Sequence, residues 1–487
     1  MWSTLFPLLI LLNLALIGGG VFYVLSHPRE PRAMLAWILA FIALPLIGVL
    51  LFYLLSDPSL NRRHRRFAKY RKKLNPALWS KLRSIHDAHA PDRHFDEASS
   101  ELRKFVELAT RISSLQPPTT ENAVTIYHDQ AGQVFERLQQ AILSAEHQVH
   151  MEYFTFRADQ FGTAIAEALM KQAQAGVECR LLVDHLGSWG WPAAFLDKLL
   201  QAGVEVRFFL PLLPWRGRRW GLRPNSRNHR KIAVIDGCIG FVGSQNIGDE
   251  YLGRGNEFSG WIDTHLELAG PSVYQLQETF IEDWHIAGGG DLFNDRSFPD
   301  LSAAPGNQIT QIVSSGPDDN AGIMHHLLLA AISAADHSVC IASPYFVPDA
   351  AMVLMLEAAA YRGVTVQLLV PRQSDHRIAL WAGRSYYQEL SRTGVEIYEY
   401  TLGFLHSKLV IIDQCWGMVG SANMDERSFR LNFEITAILY TAEPVRQLQQ
   451  DFENMLNQSQ HVEFADKPVT LLTRIKMGAA RLLSPIY

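Results

Sequence analysis

The chain has 487 residues, too many for one ordinary core, so two or three domains are expected. Its formal net charge of −5 supplies no global basic field, which argues against a nucleic-acid-binding protein. Four cysteines (Cys179, Cys238, Cys340, Cys415) lie scattered without a C-x-x-C pair, which argues against a disulfide framework or a zinc site and suits reduced cytosolic thiols.

Two apolar stretches come first. Leu5–Leu25 is apolar apart from Asn13 and small glycines, and Ala33–Leu55 carries no charge. Each could cross a hydrocarbon core of about 30 Å at about 1.5 Å per residue. A cleaved signal peptide is the alternative for the first stretch, but it lacks a basic leader and Gly18-Gly19-Gly20 is a poor cleavage site. A transmembrane helical hairpin is therefore expected over residues 1–60, with His27–Arg32 as its turn. The densely basic run Asn61–Lys73 predicts that this end of the hairpin, and everything after it, faces the cytoplasm. Such a run also attracts anionic membrane lipids. Residues 61–120 read as a basic juxtamembrane segment and connector, helical over Ser99–Ser113.

An α/β pattern follows. Strands are predicted at Val124–Tyr127, Val149–Phe156 and Cys179–Asp184, with helices at Gly132–Ala145 and Gly162–Ala175 between them. The pattern then repeats. Ala141–Val149 resembles Ala331–Val339, Gly176–Val183 resembles Gly363–Val370, and Gly203–Val206 resembles Gly394–Ile397. Two copies of one βαβ unit with mixed sheets are expected, over 121–300 and 301–487, related by a pseudo-twofold axis. The first copy carries an extra loop with Trp215, Trp220, Arg216, Arg218, Arg219 and Arg223, suited to an anionic bilayer surface or to a plain solvated role. The tail, Leu471–Tyr487, spaces apolar residues helically among basic ones, as an interfacial or docking helix would.

The chemistry concentrates in a doubled motif, H-x-K-x-x-x-x-D. It runs from His229 through Lys231 to Asp236, and from His406 through Lys408 to Asp413. Each copy leads into a Gly-Ser-x-Asn box, with Ser244 and Asn246 in the first and Ser421 and Asn423 in the second, all offset by the same 177 residues. His and Lys two apart on a strand share a face, whereas the Asp points away and reads as a structural anchor. Two such faces would surround a tetrahedral phosphate: one imidazole attacks phosphorus, the other protonates the leaving oxygen, and Lys, Ser and Asn stabilise the oxygens. That scheme needs no metal and no cofactor. Each histidine requires a carboxylate behind it. Strand context selects Glu434 in the second copy and Asp263 in the first. Raw spacing selects Glu257 instead, since Glu257 and Glu434 each follow their histidine by 28 residues. His265 reads as a packed strand residue.

These boxes resemble the phospholipase D superfamily, over nearly the whole chain, and further residues resemble its bacterial cardiolipin synthases. Among them are Trp261-x-Asp263-x-His265, Ser343–Asp349, Ser374–Arg377 and Asp425–Phe429. The resemblance implies a multi-pass inner-membrane phosphatidyltransferase with cytoplasmic catalytic domains. Two phosphatidylglycerol molecules would give cardiolipin and glycerol through a phosphohistidine, assigned to His229. A membrane-bound phospholipase D releasing phosphatidic acid is the alternative. The catalytic set is then His229, Lys231, Asp236, His406, Lys408 and Asp413, supported by Ser244, Asn246, Ser421, Asn423, Asp263 and Glu434.

Overall fold

A computed structural model describes residues 2–27, 31–55, 75–91, 100–113, 116–128, 131–211, 225–254, 258, 260–300, 305–317, 322–463 and 470–483, with the side chains of 2–10, 32, 53–55 and 131 left aside. The basic run 61–73, the loop 212–224 and Glu257 lie outside these residues. Two compact units divide the chain: residues 1–60 with 211–225, and residues 61–210 with 226–487.

In the first unit, helices run over Trp2–Ser26, Pro31–Ala43 and Pro45–Leu55. The second apolar stretch is thus two short helices, not the single continuous span expected. Proline disfavours helical backbone at the residue before it and is well placed as the first residue of a new helix, so the break falls at Leu44–Pro45. The chain then folds back, because Trp37 and Phe41 both meet the Phe52 ring, with centroids 5.1 and 5.4 Å apart. Among the described residues no helix is long and apolar enough to cross a membrane.

The second unit carries the duplicated α/β pattern. Its first half contributes β1 (Thr119–His128), β2 (Gln148–Tyr153), β3 (Glu178–Asp184), β4 (Glu205–Phe209), β5 (Lys231–Ile235), β6 (Ile239–Gly243), β7 (Trp261–Ile262) and β8 (Thr264–Ala269). The second half contributes β9 (Gln308–Ser315), β10 (Ser338–Ala342), β11 (Phe346–Val347), β12 (Thr365–Pro371), β13 (Glu396–Tyr400), β14 (Phe404–Leu405), β15 (Leu409–Ile412), β16 (Trp416–Gly420), β17 (Met424–Asp425), β18 (Glu434–Leu439) and β19 (Ser459–His461). The predicted helices are present at Ala131–Leu143 and Gln160–Gln174.

Strand order shows the duplication directly. One half runs β1-β8-β6-β5-β2-β3-β4 and the other β9-β18-β16-β15-β10-β12-β13, joined through an antiparallel β1–β9 pair. In each half the first three strands after the joint are antiparallel, and the outer βαβ strands are parallel. Apolar side chains from both halves, including Ile232, Val242 and Leu266 with Ile411, Val419 and Ile435, make one common core beside that joint. Burying each such side chain contributes about 1.5–3 kcal/mol, so the two halves are held as one body.

The Asp of each motif ends its strand in a tight hairpin. Asp236 and Asp413 have φ of 51° and 52°, and Gly237 and Gln414 follow at 69° and 55°. Two successive left-handed residues fit the right-handed twist of the flanking strands.

Candidate active site

The two histidines lie at the start of equivalent strands, and each is fixed by backbone from the opposite half. His229 N–H donates to Phe433 O at 2.9 Å, and His406 N–H donates to Ile262 O at 2.8 Å. Phe433 and Ile262 each immediately precede a carboxylate. The contact therefore delivers Glu434 to His229, at 3.0 Å from Nδ1, and Asp263 to His406, at 2.8 Å from Nδ1. Sequence context selected the right two acids but assigned each to the histidine of its own half. The pairing is crossed, because the halves exchange their strand ends across the pseudo-twofold axis.

The hydroxyls of the Gly-Ser-x-Asn boxes face the histidine-binding carboxylates. Ser244 donates to Asp263 and Ser421 to Glu434, each in a short hydrogen bond of 2.5 Å. Each serine orients its half's carboxylate. Asn246 is also engaged: Oδ1 accepts from Thr155 N at 3.1 Å and Nδ2 donates to Tyr251 Oη at 3.1 Å. Asn423 differs, since its buried Oδ1 has no hydrogen-bond partner among the described residues. The ammonium groups of Lys231 and Lys408 donate to the carbonyls of their own histidines, each at 2.6 Å.

Asp236 and Asp413 bind backbone amides. Asp236 accepts from the backbone amides of Glu146, His147 and Gln148, and Asp413 from those of Asp336, His337 and Ser338. Each carboxylate pins the hairpin to the start of the neighbouring strand, at the end of its strand remote from the histidine. His265 is buried against Gly243, as a packed strand residue.

Burial governs the site's protonation. It pushes His229 down to about 4 and lowers His406 as well, against the opposing pull of Glu434 and Asp263. Burial works against ionised carboxylates too, yet His406, Lys408 and Ser244 hold Asp263 at about 2, and His229, Lys231 and Ser421 hold Glu434 below its ordinary range. Burial lowers Lys231 strongly and brings Lys408 to about 8. Near neutral pH the imidazoles are neutral and the carboxylates ionised. Nδ1 then carries the hydrogen given to the carboxylate, and Nε2 keeps its lone pair.

Several supporting roles escaped sequence reasoning, although Trp261 and Ser428 lie in motifs it singled out. Ser428 Oγ donates to Glu434 Oε1 at 2.9 Å, and Trp261 Nε1 donates to Asp263 Oδ2 at 2.8 Å. Beside His229, Arg230 donates to Glu434 O at 3.1 Å, to Ser315 O at 2.9 Å and to Asp283. Asn228 donates to Glu152 at 2.6 Å, whose carboxyl burial and Asp283 raise well above the usual range. The visible signal was an acid inside an apolar strand, at Glu152. The second half has Leu405 and Ser407 where the first has Asn228 and Arg230.

A duplicated α/β core that joins two His–carboxylate pairs and two lysines defines a class of protein built to act on a phosphate ester. The family described as "Cardiolipin synthase, PLD-like domain" matches residues 138–284 and 328–456. The chain is 35% identical over 480 residues to a cardiolipin synthase of Alkalihalophilus pseudofirmus, covering 98% of this chain and 92% of that one. It is 40% identical over 389 residues to the cardiolipin synthase of Geobacillus kaustophilus, covering 79% and 76%. In fold it is similar to a phosphatidylserine synthase from Haemophilus influenzae, with a TM-score of 0.58, 13% identity, and 78% and 99% coverage. The chain belongs to the cardiolipin synthase family with phospholipase D-like domains.

Proposed function

We propose that this protein makes cardiolipin by phosphatidyl transfer between two phosphatidylglycerol molecules. His229 Nε2 attacks the phosphorus of the first, and the P–O bond to its glycerol breaks. His406, protonated in the loaded site, gives that proton to the leaving oxygen. A headgroup hydroxyl of the second phosphatidylglycerol then attacks the phosphatidyl-histidine, His406 takes its proton, and the N–P bond breaks to give cardiolipin. Lys231 and Lys408 balance charge on the non-bridging oxygens, and the scheme uses no metal or cofactor. A bound phosphodiester brings negative charge beside buried imidazoles and raises their proton affinity, which equips His406 as the acid.

The observation that carries this reading is the crossed pairing. It leaves two histidines with Nδ1 occupied and Nε2 available, one for the nucleophile and one for the acid–base step. Asp236 and Asp413 hold the hairpins. The N-terminal apolar helices hold the protein in the inner membrane, and the basic run 61–73 keeps the two catalytic domains, 121–300 and 301–487, on the cytoplasmic side among anionic lipids.

Rapid quenching of turnover with labelled phosphatidylglycerol, followed by peptide mapping under alkaline conditions, tests the covalent step. Label on His229 is expected. Label on His406 reverses the assignment, and label on neither histidine removes the covalent mechanism.

A further inference from the structure

The two sides of the pocket are not chemically equivalent. Register defines the correspondence: Tyr153 pairs with Lys231, and Ala342 pairs with Leu409, which sets Ser343 opposite Lys408. Phe156 bridges Ile247, and Phe346 pairs with Met424. Pro344 therefore stands where the first half has Phe154, and Tyr345 stands where it has Thr155.

On the first side Phe154 is partly buried and Thr155 is buried. Phe154 sets its ring edge-on to His229 at 5.1 Å and lies 5.6 Å from the Lys231 ammonium. Thr155 N fills the acceptor of Asn246. The acid that ends β3, Asp184, whose counterpart at the end of β12 is Pro371, is fully buried and taken by the amides of Leu186, Gly187 and Asn228 and by Arg227.

On the second side Pro344 is buried, and Tyr345, partly buried, brings a phenol hydroxyl. Tyr345 Oη donates to both oxygens of Asp375, at 2.7 and 2.8 Å. This joins the loops that leave the carboxyl ends of β10 and β12, beside Lys408. Asp375 remains 28% exposed, with Ser374 as its other donor. Asn423 Oδ1, the counterpart of the filled Asn246 acceptor, is buried and unmatched among the described residues. The accessible Asp375 carboxylate repels phosphate and welcomes hydroxyl groups.

We propose that the Tyr345–Asp375 pair is a polyol subsite that holds the glycerol headgroup of the phosphatidylglycerol, first as leaving group and then as attacking acceptor. The subsite rests on the phosphatidyl-transfer reading above. It explains how a pocket with a water-reactive phosphohistidine selects a glycerol hydroxyl over water: a bound polyol occupies the face from which water would attack.

The test uses the full-length protein in mixed micelles with a phosphatidyl p-nitrophenyl ester, whose leaving group has no hydroxyl to recognise, and free glycerol as acceptor. The native protein should form phosphatidylglycerol in preference to phosphatidic acid. Tyr345→Phe and Asp375→Leu should shift that partition toward phosphatidic acid by about tenfold or more, because one hydrogen bond to a charged acceptor is worth at least that factor. The partition of one intermediate is insensitive to partial loss of folded protein, and Tyr345→Phe removes only a hydroxyl. A partition within twofold of native in both variants overturns the subsite. Failure of the native protein to release p-nitrophenol would instead overturn the phosphatidyl-transfer reading itself.

Discussion

Glu434 accepts from His229, Ser421, Ser428 and Asn432, and Asp263 accepts from His406, Ser244 and Trp261. These donors fix carboxylates that in turn fix the imidazole tautomers. A glutamine at 434 or an asparagine at 263 can present its amide N–H to Nδ1 and favour the wrong tautomer. Glu434→Gln and Asp263→Asn are each expected to lower kcat by about a hundredfold to ten-thousandfold. The crossing has its own signature in imidazole NMR: Glu434→Gln should displace the titration of His229 and leave His406 largely in place. The pH–rate profile follows from the same groups. His229, held at about 4 by burial, loses its lone pair as pH falls through that value, so kcat/KM declines on the acid side. His406, the acid of the first step, is lowered by burial in the free protein and loses its proton as pH rises, and Lys408, brought to about 8, then loses its charge, so kcat/KM also declines on the alkaline side. In kcat the acid limb should move to higher pH, because the bound phosphodiester favours protonated imidazole. A kcat/KM flat from pH 3 to 9 contradicts these assignments.

The hairpin after each motif strand is an element with a mechanical task. Its Asp gathers three backbone amides and thereby ties β5 to the start of β2, and β15 to the start of β10. Asp236→Ala should cost about 2 kcal/mol of stability, read as a lower Tm, and should lower Tm more than it lowers kcat. Ile435 sits directly after Glu434 on β18, fully buried in the core shared by both halves. Ile435→Ala should cost about 2–5 kcal/mol and also lower kcat, since the strand that aims Glu434 loses its packing. Elements were the most legible level in the sequence. Alternation and β-branched runs located β2, β3 and their helices to within a few residues, because local periodicity determines them. Two features were not legible there. Hydropathy averaged over Pro45 and hid the break that divides the second apolar stretch. Strand context identified Asp263 and Glu434 as acids but could not say which histidine each would meet, since those contacts span 143 and 205 residues. The role of Ser244 and Ser421 was likewise hidden, because a buried hydroxyl serves a neighbouring carboxylate or a ligand according to geometry that spacing does not carry.

At the scale of the whole molecule, duplication has produced a site that neither half can complete. Each half supplies a histidine, a lysine and the carboxylate that its partner's histidine needs. The repeat was visible as a constant offset of 177 residues between the two motifs, and each motif's histidine meets a carboxylate of the other half. The asymmetry within that pocket lay in positions the motif does not include: Phe154 against Pro344, Thr155 against Tyr345, and Arg230 against Ser407. Such differences suit a reaction whose two substrates are the same molecule in different roles, one surrendering its headgroup and the other presenting it. The most direct test of the central claim is to supply purified protein with phosphatidylglycerol as the only lipid in mixed micelles, beside a His229→Ala control, and to read products by mass spectrometry. Cardiolipin with an equal amount of free glycerol, absent in the control, is the predicted result. Phosphatidic acid without cardiolipin would contradict it.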